Sequence, residues 1–249
     1  DPDELFTAGE YARRARAAIH EIVDRSRLPI VVGGTGLYLR ALLEGLFPGP
    51  QRRDELRQRL HRRDEAKGPS YLHRVLSRLD PAAAQKIHQN DVPKLIRAIE
   101  ICLEARAPMS RLWEAHGRDP LIGYHILRIG LNPARPDLYR RINQRATWMF
   151  EHGLVEETRT LLKRYSGSPH LMAFNALGYR QAVQVVRGEV TLEEALASAQ
   201  QGHRNYAKRQ MTWFRREPEV HWLEGFGDDP EIAGKAANLV FEYFHPNSA

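Results

Sequence analysis

The apolar positions of this chain recur mainly at the three- and four-residue spacing of amphipathic helices. This pattern predicts helices over residues 10–25, 37–43, 137–152, 154–165, 174–187, 191–214 and 231–244. Residues 54–116 are charged and helical, without a strand pattern. Short apolar runs rich in β-branched residues predict strands at residues 28–32, 124–131 and 220–223. Helices with a few interspersed strands favour the α/β class, with a parallel sheet core flanked by helices.

Proline and glycine divide this pattern into two parts. The cluster Pro48-Gly49-Pro50 ends the helix over residues 37–43 and marks a domain boundary. We therefore predict a small all-helical insertion at residues 50–120 within an α/β core formed by residues 1–49 and 121–249. A length of 249 residues, with 42% hydrophobic and 27% charged residues, is ordinary for a globular protein with a real core.

The most distinctive local pattern is the apolar run 28–32 followed by Gly33-Gly34-Thr35-Gly36 and an apolar helix. Glycine lets the backbone approach a ligand closely, and the free amides at a helix start favour an anion. Thr35 adds a hydroxyl that can both donate and accept a hydrogen bond. By itself the pattern fits a ligand-binding loop and a purely structural turn equally well.

The charge of the chain is unevenly distributed. The formal net charge is +6, and residues 203–216 hold five basic residues and no acid, which favours a polyanionic partner. Residues 51–67 hold seven basic and four acidic residues, a balance typical of a solvated helix. Arg204, Lys208, Met211 and Arg215 share one helix face, and Tyr206, Gln210 and Trp213 share a neighbouring one.

Two interpretations of that basic helix stay open. Basic residues at helical spacing can follow a phosphate backbone, while aromatic and amide side chains can stack on or bond to unpaired bases. Alternatively, Trp213 and Phe214 belong to the core and the basic side chains are merely exposed, and for Phe214 we favour the core.

The environments of two residues on the apolar helix before residue 105 can be predicted. Arg97 lies among apolar residues and must find an anion, which is Glu100, Asp91 or a ligand phosphate. Cys102 is the single cysteine, which excludes an intrachain disulfide, and we predict that it lies in the core. No apolar run approaches membrane-spanning length, so we expect no membrane association and a cytoplasmic location.

Five blocks of the sequence, in family order, resemble the tRNA dimethylallyltransferase (tRNA isopentenyltransferase) family. The blocks are GGTGLY at 33–38, ND with RAIE at 90–91 and 97–100, RINQR with M and GLVEE at 141–157, GYRQ at 178–181 and AKRQMTWFR at 207–215. Together they span about residues 1–223. The resemblance implies a P-loop-type core in which a dimethylallyl group moves from dimethylallyl diphosphate to the exocyclic amine of the adenosine 3′-adjacent to the tRNA anticodon.

The resemblance also implies the partners of the reaction and what this chain lacks. The partners are the tRNA anticodon stem-loop and dimethylallyl diphosphate, the cofactor is Mg²⁺ shared with the diphosphate, and a monomer is expected. Family members carry a G-x-x-x-x-G-K loop followed by Ser or Thr, and an Asp that serves as general base. Neither this loop nor this Asp is found in the 249 residues. We therefore expect an N-terminally incomplete chain that is inactive alone and holds no metal ligand.

The family's substrate-contacting positions are carried over residue by residue. Thr35 would lie beside the target amine in a supporting catalytic role, and Arg145, on a helix that we interpret as core-facing, is a candidate partner of the diphosphate. The predicted tRNA contacts, besides Thr35, are Arg57, Pro93, Lys94, Leu95, Ile96, Arg97, Asn175, Ala176, Leu177, Gly178, Tyr179, Arg180, Lys208, Arg209, Gln210, Met211, Thr212, Trp213, Phe214 and Arg215.

Two other functions remain open at this point. One is a related prenyltransferase that takes free adenine nucleotide, as in cytokinin synthesis. The other is a non-catalytic tRNA-binding remnant. The helical insertion with Arg57 and the basic helix over residues 191–214 argue for a macromolecular acceptor.

Overall fold

A computed structural model describes residues 1–47, 49–117, 119–168 and 171–244. Its helices are α1 (Ala8–Asp24), α2 (Gly36–Leu43), α3 (Asp54–Lys67), α4 (Tyr71–Leu79), α5 (Pro81–Lys86), α6 (Val92–Ala105), α7 (Met109–His116), α8 (Arg135–Glu151), α9 (Leu154–Arg164), α10 (Tyr179–Val186), α11 (Leu192–Phe214) and α12 (Pro230–Phe244). Its strands are β1 (Arg128–Leu131) and β2 (Val220–Leu223). Pro48, part of the predicted boundary cluster, lies outside the described residues.

The chain divides into two compact units. The helical unit comprises the described residues of 12–18 and 40–122, and the sheet unit comprises those of 1–11, 19–39 and 123–249. In the helical unit, α3 to α6 enclose a core of leucine, isoleucine and alanine side chains centred on α6. Cys102 belongs to this core and is 5% exposed, which confirms the prediction for this residue.

Asp80 organises one end of the helical unit. Its carboxylate caps α5 by accepting a hydrogen bond from the Ala83 amide at 3.0 Å, with Pro81 in the first turn. It also accepts hydrogen bonds from the Ser110 amide at 2.7 Å and the Ser110 hydroxyl at 2.9 Å. Burial raises its pKa, but the hydrogen bonds from Ser110 and Ala83 outweigh burial and lower it, so the buried carboxylate is ionised at neutral pH.

The sheet unit joins β1 and β2 in parallel, with Arg128 opposite Val220 and Leu131 opposite Leu223. Helices α8 to α11 build its core around Phe150, Leu154 and small alanine side chains. A parallel strand pair with flanking helices confirms the α/β class at this coarse level. Thr191 starts α11 with a capping box, in which Glu194 accepts from the Thr191 amide at 2.8 Å.

The predicted elements are mostly present, with three differences. The predicted strand over residues 28–32 is wrong, because this segment pairs with no strand in the described sheet and Ile30 and Val32 are 75% and 89% exposed. The strand predicted at 124–131 is limited to β1. The helix predicted at 174–187 is divided by Gly178, whose φ of 93° is left-handed, so a 3₁₀ turn precedes α10. No described helix is long and apolar enough to cross a membrane.

Candidate functional site

Residues 33–36, here called the glycine loop, lie against one face of α11. The side-chain amide of Gln210 donates a hydrogen bond to the Gly34 carbonyl at 2.9 Å, and the hydroxyls of Thr35 and Tyr206 are 3.4 Å apart. These residues of α11 and Trp213 are spaced four and three apart, which places them on one face of the helix. Helix α11 therefore holds consecutive residues of the glycine loop.

The close approach explains two of the three glycines. A Cβ atom at Gly34 would collide with the side-chain nitrogen of Gln210, and one at Gly36 would collide with the indole of Trp213. A Cβ atom at Gly33 would meet nothing within 4 Å. Gly36 is thus required by packing against the Trp213 indole, a Cβ atom at Gly34 would displace the flexible end of Gln210, and Gly33 has room for one.

Thr35 ends the glycine loop directly before α2. Its carbonyl accepts a hydrogen bond from the Tyr38 amide at 2.9 Å, which ties the residue to the first turn of the helix. Tyr38 in turn stacks on Tyr11, with ring centroids 4.8 Å apart. The backbone of Thr35 is therefore fixed, while its side chain is exposed and can offer its hydroxyl to a ligand.

The other faces of α11 carry exposed cations. Lys208, Arg209 and Arg215 are exposed, and the Arg209 guanidinium lies 5.6 Å from the centroid of the Tyr206 ring. Arg204 is different, because its guanidinium donates to the Asn143 side chain at 2.6 Å and is committed to α8. The exposed cations available to a polyanion on this helix are therefore those nearer its carboxyl end.

In the helical unit, a second group of charged residues surrounds Glu100, which is 0% exposed. Its carboxylate accepts from the Arg53 amide at 2.7 Å, from Nε and Nη2 of Arg57 at 3.1 and 2.9 Å, and from Nη1 of Arg97 at 2.6 Å. Arg97 also donates to the Pro50 carbonyl at 2.9 Å. These five residues are called the Glu100 cluster below. Glu100 is thus the anion that Arg97 was expected to need, and that interpretation is confirmed.

The cluster keeps Glu100 charged. Burial raises the pKa of this carboxyl, but the hydrogen bonds from Arg57, Arg53 and Arg97 outweigh burial and lower the pKa to about 2. Two guanidinium groups therefore share one buried carboxylate at neutral pH, which leaves a local charge of +1. Such an arrangement can attract phosphate.

Comparison with known proteins identifies the family. The model of the IPP transferase family matches residues 1–217. The chain is 64% identical to the tRNA dimethylallyltransferase of Koribacter versatilis, over 96% of this chain and 77% of that protein. It is 54% identical to the tRNA dimethylallyltransferase of Solibacter usitatus, over 98% of this chain and 78% of that protein. The chain belongs to the IPP transferase family.

A solved structure of the same family resembles the fold. The tRNA isopentenylpyrophosphate transferase of Bacillus halodurans superposes with a TM-score of 0.64 at 35% identity, covering 97% of this chain and 75% of that chain. The agreement over nearly the whole chain extends the family relationship from sequence to three-dimensional structure.

The structure separates the predicted contact residues of α6 into buried and accessible side chains. Leu95 and Ile96 are 0% and 1% exposed and belong to the core of the helical unit, so their side chains do not reach a bound RNA. The helical period turns these two positions inward, whereas Pro93 and Lys94 are exposed. Lys94 pairs with Asp91 at 2.5 Å. Arg97 is the one partly exposed guanidinium of this stretch.

The GYRQ block is also partly structural. Gly178 is buried, and the half-buried Tyr179 donates its hydroxyl to Glu157 at 2.9 Å. Burial, and then the Glu157 carboxylate, raise the pKa of Tyr179. Both residues have packing roles, and their predicted contacts with tRNA stay predictions. The exposed residues of this stretch are Asn175, Ala176 and Arg180, whereas Leu177 is half-buried.

On α11, the predicted contacts separate into two groups. Gln210 and Trp213 face the glycine loop and support it, and their predicted contact with RNA stays a prediction. Phe214 and Met211 are half-buried, and the exposed Thr212 bonds back to the Lys208 carbonyl at 3.0 Å. The groups accessible to RNA in this block are the side chains of Lys208, Arg209, Thr212 and Arg215.

Arg145 is exposed on α8, the helix interpreted as core-facing, which buries Ala146 and Phe150. Burial lowers the pKa of His203, and the charge of Arg145 lowers it further, so Arg145 lies close enough to α11 to act on that residue. A place for Arg145 beside the diphosphate stays a prediction.

Two residues of these sites escaped the prediction. Tyr206 was grouped with Gln210 by helical spacing but not with Thr35, because the two residues are 171 positions apart. Glu100 was considered only as a partner of Arg97, because nothing in the sequence links it to Arg57, 43 positions earlier. Among the described residues, no group of three or more His, Cys, Asp or Glu side chains is placed to hold a metal ion.

Proposed function

We propose that this chain acts in the transfer of a dimethylallyl group from dimethylallyl diphosphate to the exocyclic amine of an adenosine in tRNA. The family membership supports the reaction class, because the relatives at 64% and 54% identity are tRNA dimethylallyltransferases. The structural observation that carries the proposal is the exposed Thr35 hydroxyl, on a loop fixed to a helix with exposed cations.

The reaction requires groups around the amine that hold it in a reactive orientation and accept its proton. In the step, the amine nitrogen forms a bond to the allylic carbon, the carbon–oxygen bond to diphosphate breaks, and the amine loses a proton. The nitrogen lone pair is delocalised into the adenine ring, so the amine must be held in a reactive orientation. The Thr35 hydroxyl can accept a hydrogen bond from the amine and hold it. A threonine hydroxyl is too weak a base to remove the proton, so the proton acceptor is a different group.

The position of the target base follows from the same demand. A base stacked inside a duplex cannot reach a protein side chain, so it must come from an unpaired segment and be turned out of the stack. We therefore propose the adenosine 3′-adjacent to the anticodon as the acceptor, in an unpaired loop, with the phosphates near it bound by Lys208 and Arg215. Free tRNA is a cytoplasmic molecule, and we propose that the protein acts there.

Magnesium has a limited place in this proposal. No group of three or more His, Cys, Asp or Glu side chains among the described residues is placed to hold a metal ion, and Mg²⁺ is commonly bound through substrate phosphates. We propose that it binds with the diphosphate of the donor, and no step above depends on it.

The experiment compares a macromolecular acceptor with a free nucleotide. A labelled, unmodified anticodon stem-loop RNA with adenosine 3′ to the anticodon is titrated with the protein, and AMP is added as competitor. We expect the RNA to bind and millimolar AMP to leave it bound. A matched RNA with guanosine at that position controls for backbone binding alone. Displacement by low concentrations of AMP would contradict the tRNA proposal and favour the nucleotide prenyltransferase.

A further inference from the structure

In the Glu100 cluster, the two guanidinium groups that bond to Glu100 carry one more charge than the carboxylate can neutralise. One carboxylate would be neutralised by one guanidinium, yet Arg57 and Arg97 both bond to Glu100. The side chains of Arg57 and Arg97 are 22% and 36% exposed, whereas Glu100 is 0% exposed. The anion is therefore enclosed, and the two cations reach the surface.

The hydrogen bonds fix the orientation of both guanidinium groups. Arg57 contacts both carboxylate oxygens through Nε and Nη2, a bidentate geometry that leaves Nη1 unused by Glu100. Arg97 is held between Glu100 and the Pro50 carbonyl through its two terminal nitrogens. A guanidinium has five N–H donors, so each arginine keeps donors for another acceptor in a rigid geometry.

We propose that Glu100 is a positioning residue for tRNA, which orients Arg57 and Arg97 so that their remaining N–H groups bind backbone phosphate. This inference rests on the proposed function, since it assumes that tRNA is the ligand. Glu100 itself does not touch the RNA. It acts by holding two flexible side chains in one arrangement before binding, which removes the entropy cost of ordering them on the ligand.

An isosteric substitution that removes the charge of Glu100 distinguishes positioning from simple electrostatics, because the two predict opposite changes in tRNA affinity. Glu100→Gln removes one negative charge, so electrostatics alone would strengthen binding to a polyanion. If Glu100 positions the arginines, the same change releases them and weakens binding. We expect the dissociation constant for tRNA to rise about fivefold or more at about 0.15 M salt, against the electrostatic trend.

A matched control separates positioning from general loss of stability. Asp80→Asn also removes a buried carboxylate from the helical unit and breaks hydrogen bonds to Ser110 and Ala83, but no arginine among the described residues bonds to Asp80. Both variants are compared below their melting temperatures, with folding checked by circular dichroism. We expect Asp80→Asn to lower the melting temperature while leaving tRNA affinity unchanged or slightly higher. Equal weakening by both variants would overturn the proposal.

Two further variants cover the case in which Glu100→Gln fails to fold. Arg57→Lys and Arg97→Lys each keep the charge but lose the planar fork. We expect weaker tRNA binding with nearly the same dependence on salt, because the number of charges near phosphate is unchanged. Binding equal to that of the unmodified protein in both variants would overturn the proposal.

The outcomes also separate this inference from the proposed function. A protein that binds no tRNA at any salt concentration contradicts the proposed function itself. A protein whose tRNA binding depends on Lys208 and Arg215, but is unchanged or tighter in Glu100→Gln, contradicts only the role of Glu100.

Discussion

The side-chain amide of Gln210 donates a hydrogen bond to the carbonyl oxygen of Gly34 at 2.9 Å, across 176 positions of sequence. With the Thr35–Tyr206 contact, this bond fixes the glycine loop on α11. The loop therefore has a defined conformation before any substrate arrives, which is the condition under which one hydroxyl can orient a reacting group.

The first prediction concerns Thr35. In the active enzyme, Thr35→Ala should lower kcat for prenyl transfer about ten- to a thousandfold, the range for loss of an oriented hydrogen bond. The side chain is exposed, so the free energy of unfolding should change by less than about 0.5 kcal/mol. Steady-state kinetics and urea denaturation measure the two effects, with Thr35→Ser as the control that keeps the hydroxyl. Normal kcat with a large loss of stability would instead favour a structural turn.

The second prediction compares two glycines of the same loop. Gly36→Ala places a Cβ atom against the Trp213 indole and should destabilise the protein by about 1–3 kcal/mol, although alanine is the better helix former. Gly33→Ala meets open space and should stay within about 0.5 kcal/mol of the unmodified protein. Urea unfolding followed by tryptophan fluorescence tests both. Similar stabilities for the two variants would mean that α11 does not hold the loop.

The third prediction concerns the exposed cations of α11. Each neutralised phosphate contributes about 0.7 to 0.9 to the slope of log K against log salt. Replacing Lys208 and Arg215 by glutamine should therefore weaken tRNA binding and flatten this slope by roughly one to two units, with affinity for dimethylallyl diphosphate unchanged. Titrations over a range of salt concentrations measure it.

The control for that experiment is a pair of exposed cations elsewhere in the sheet unit. Replacing Lys163 and Arg164 on α9 by glutamine makes the same change in net charge. Their double variant should keep most of the salt dependence. An unchanged slope in the Lys208 and Arg215 variant would identify a solvated helix face, and the free-nucleotide prenyltransferase would become the better interpretation.

The fourth prediction concerns pH. The folded-state pKa of Glu100 is lowered from 4.5 to about 2, so this group stabilises the fold above pH 4.5 and loses that contribution as the pH falls toward 2. The contribution is about 3 kcal/mol at neutral pH. Urea unfolding at several pH values should therefore show a steeper loss of stability between pH 5 and 2 in the unmodified protein than in Glu100→Gln. Parallel profiles would show that the carboxylate is not stabilised by its arginines.

The fifth prediction concerns activity of the 249-residue polypeptide. It contains no G-x-x-x-x-G-K loop followed by Ser or Thr, the phosphate-binding pattern that the family resemblance implies. Incubation with dimethylallyl diphosphate, Mg²⁺ and unmodified tRNA should therefore give only background product. Robust turnover would show that the phosphate-binding groups lie among the residues described above.

A feature could be predicted from the sequence when the residues that determine it lie close together along the chain. The helices and the Arg97–Glu100 pair are local, because periodicity and a spacing of three residues determine them. The strand at residues 28–32 failed because a strand requires a neighbour, and composition does not reveal whether one is present. The contacts of Arg57 with Glu100 and of Gln210 with Gly34 depend on the folded chain, so no local pattern could indicate them.

Helix α11 is a single element of 23 residues, about 35 Å long, and its opposite faces have different roles. One face carries Tyr206 and Gln210 against the glycine loop, and the other carries exposed Lys208 and Arg215. A helix is stiff over this length, so the distance from the cations to Thr35 is set by the helix and not by the ligand. In the proposed tRNA complex, the helix would therefore set the distance between the phosphates bound by these cations and the nucleotide at the Thr35 hydroxyl.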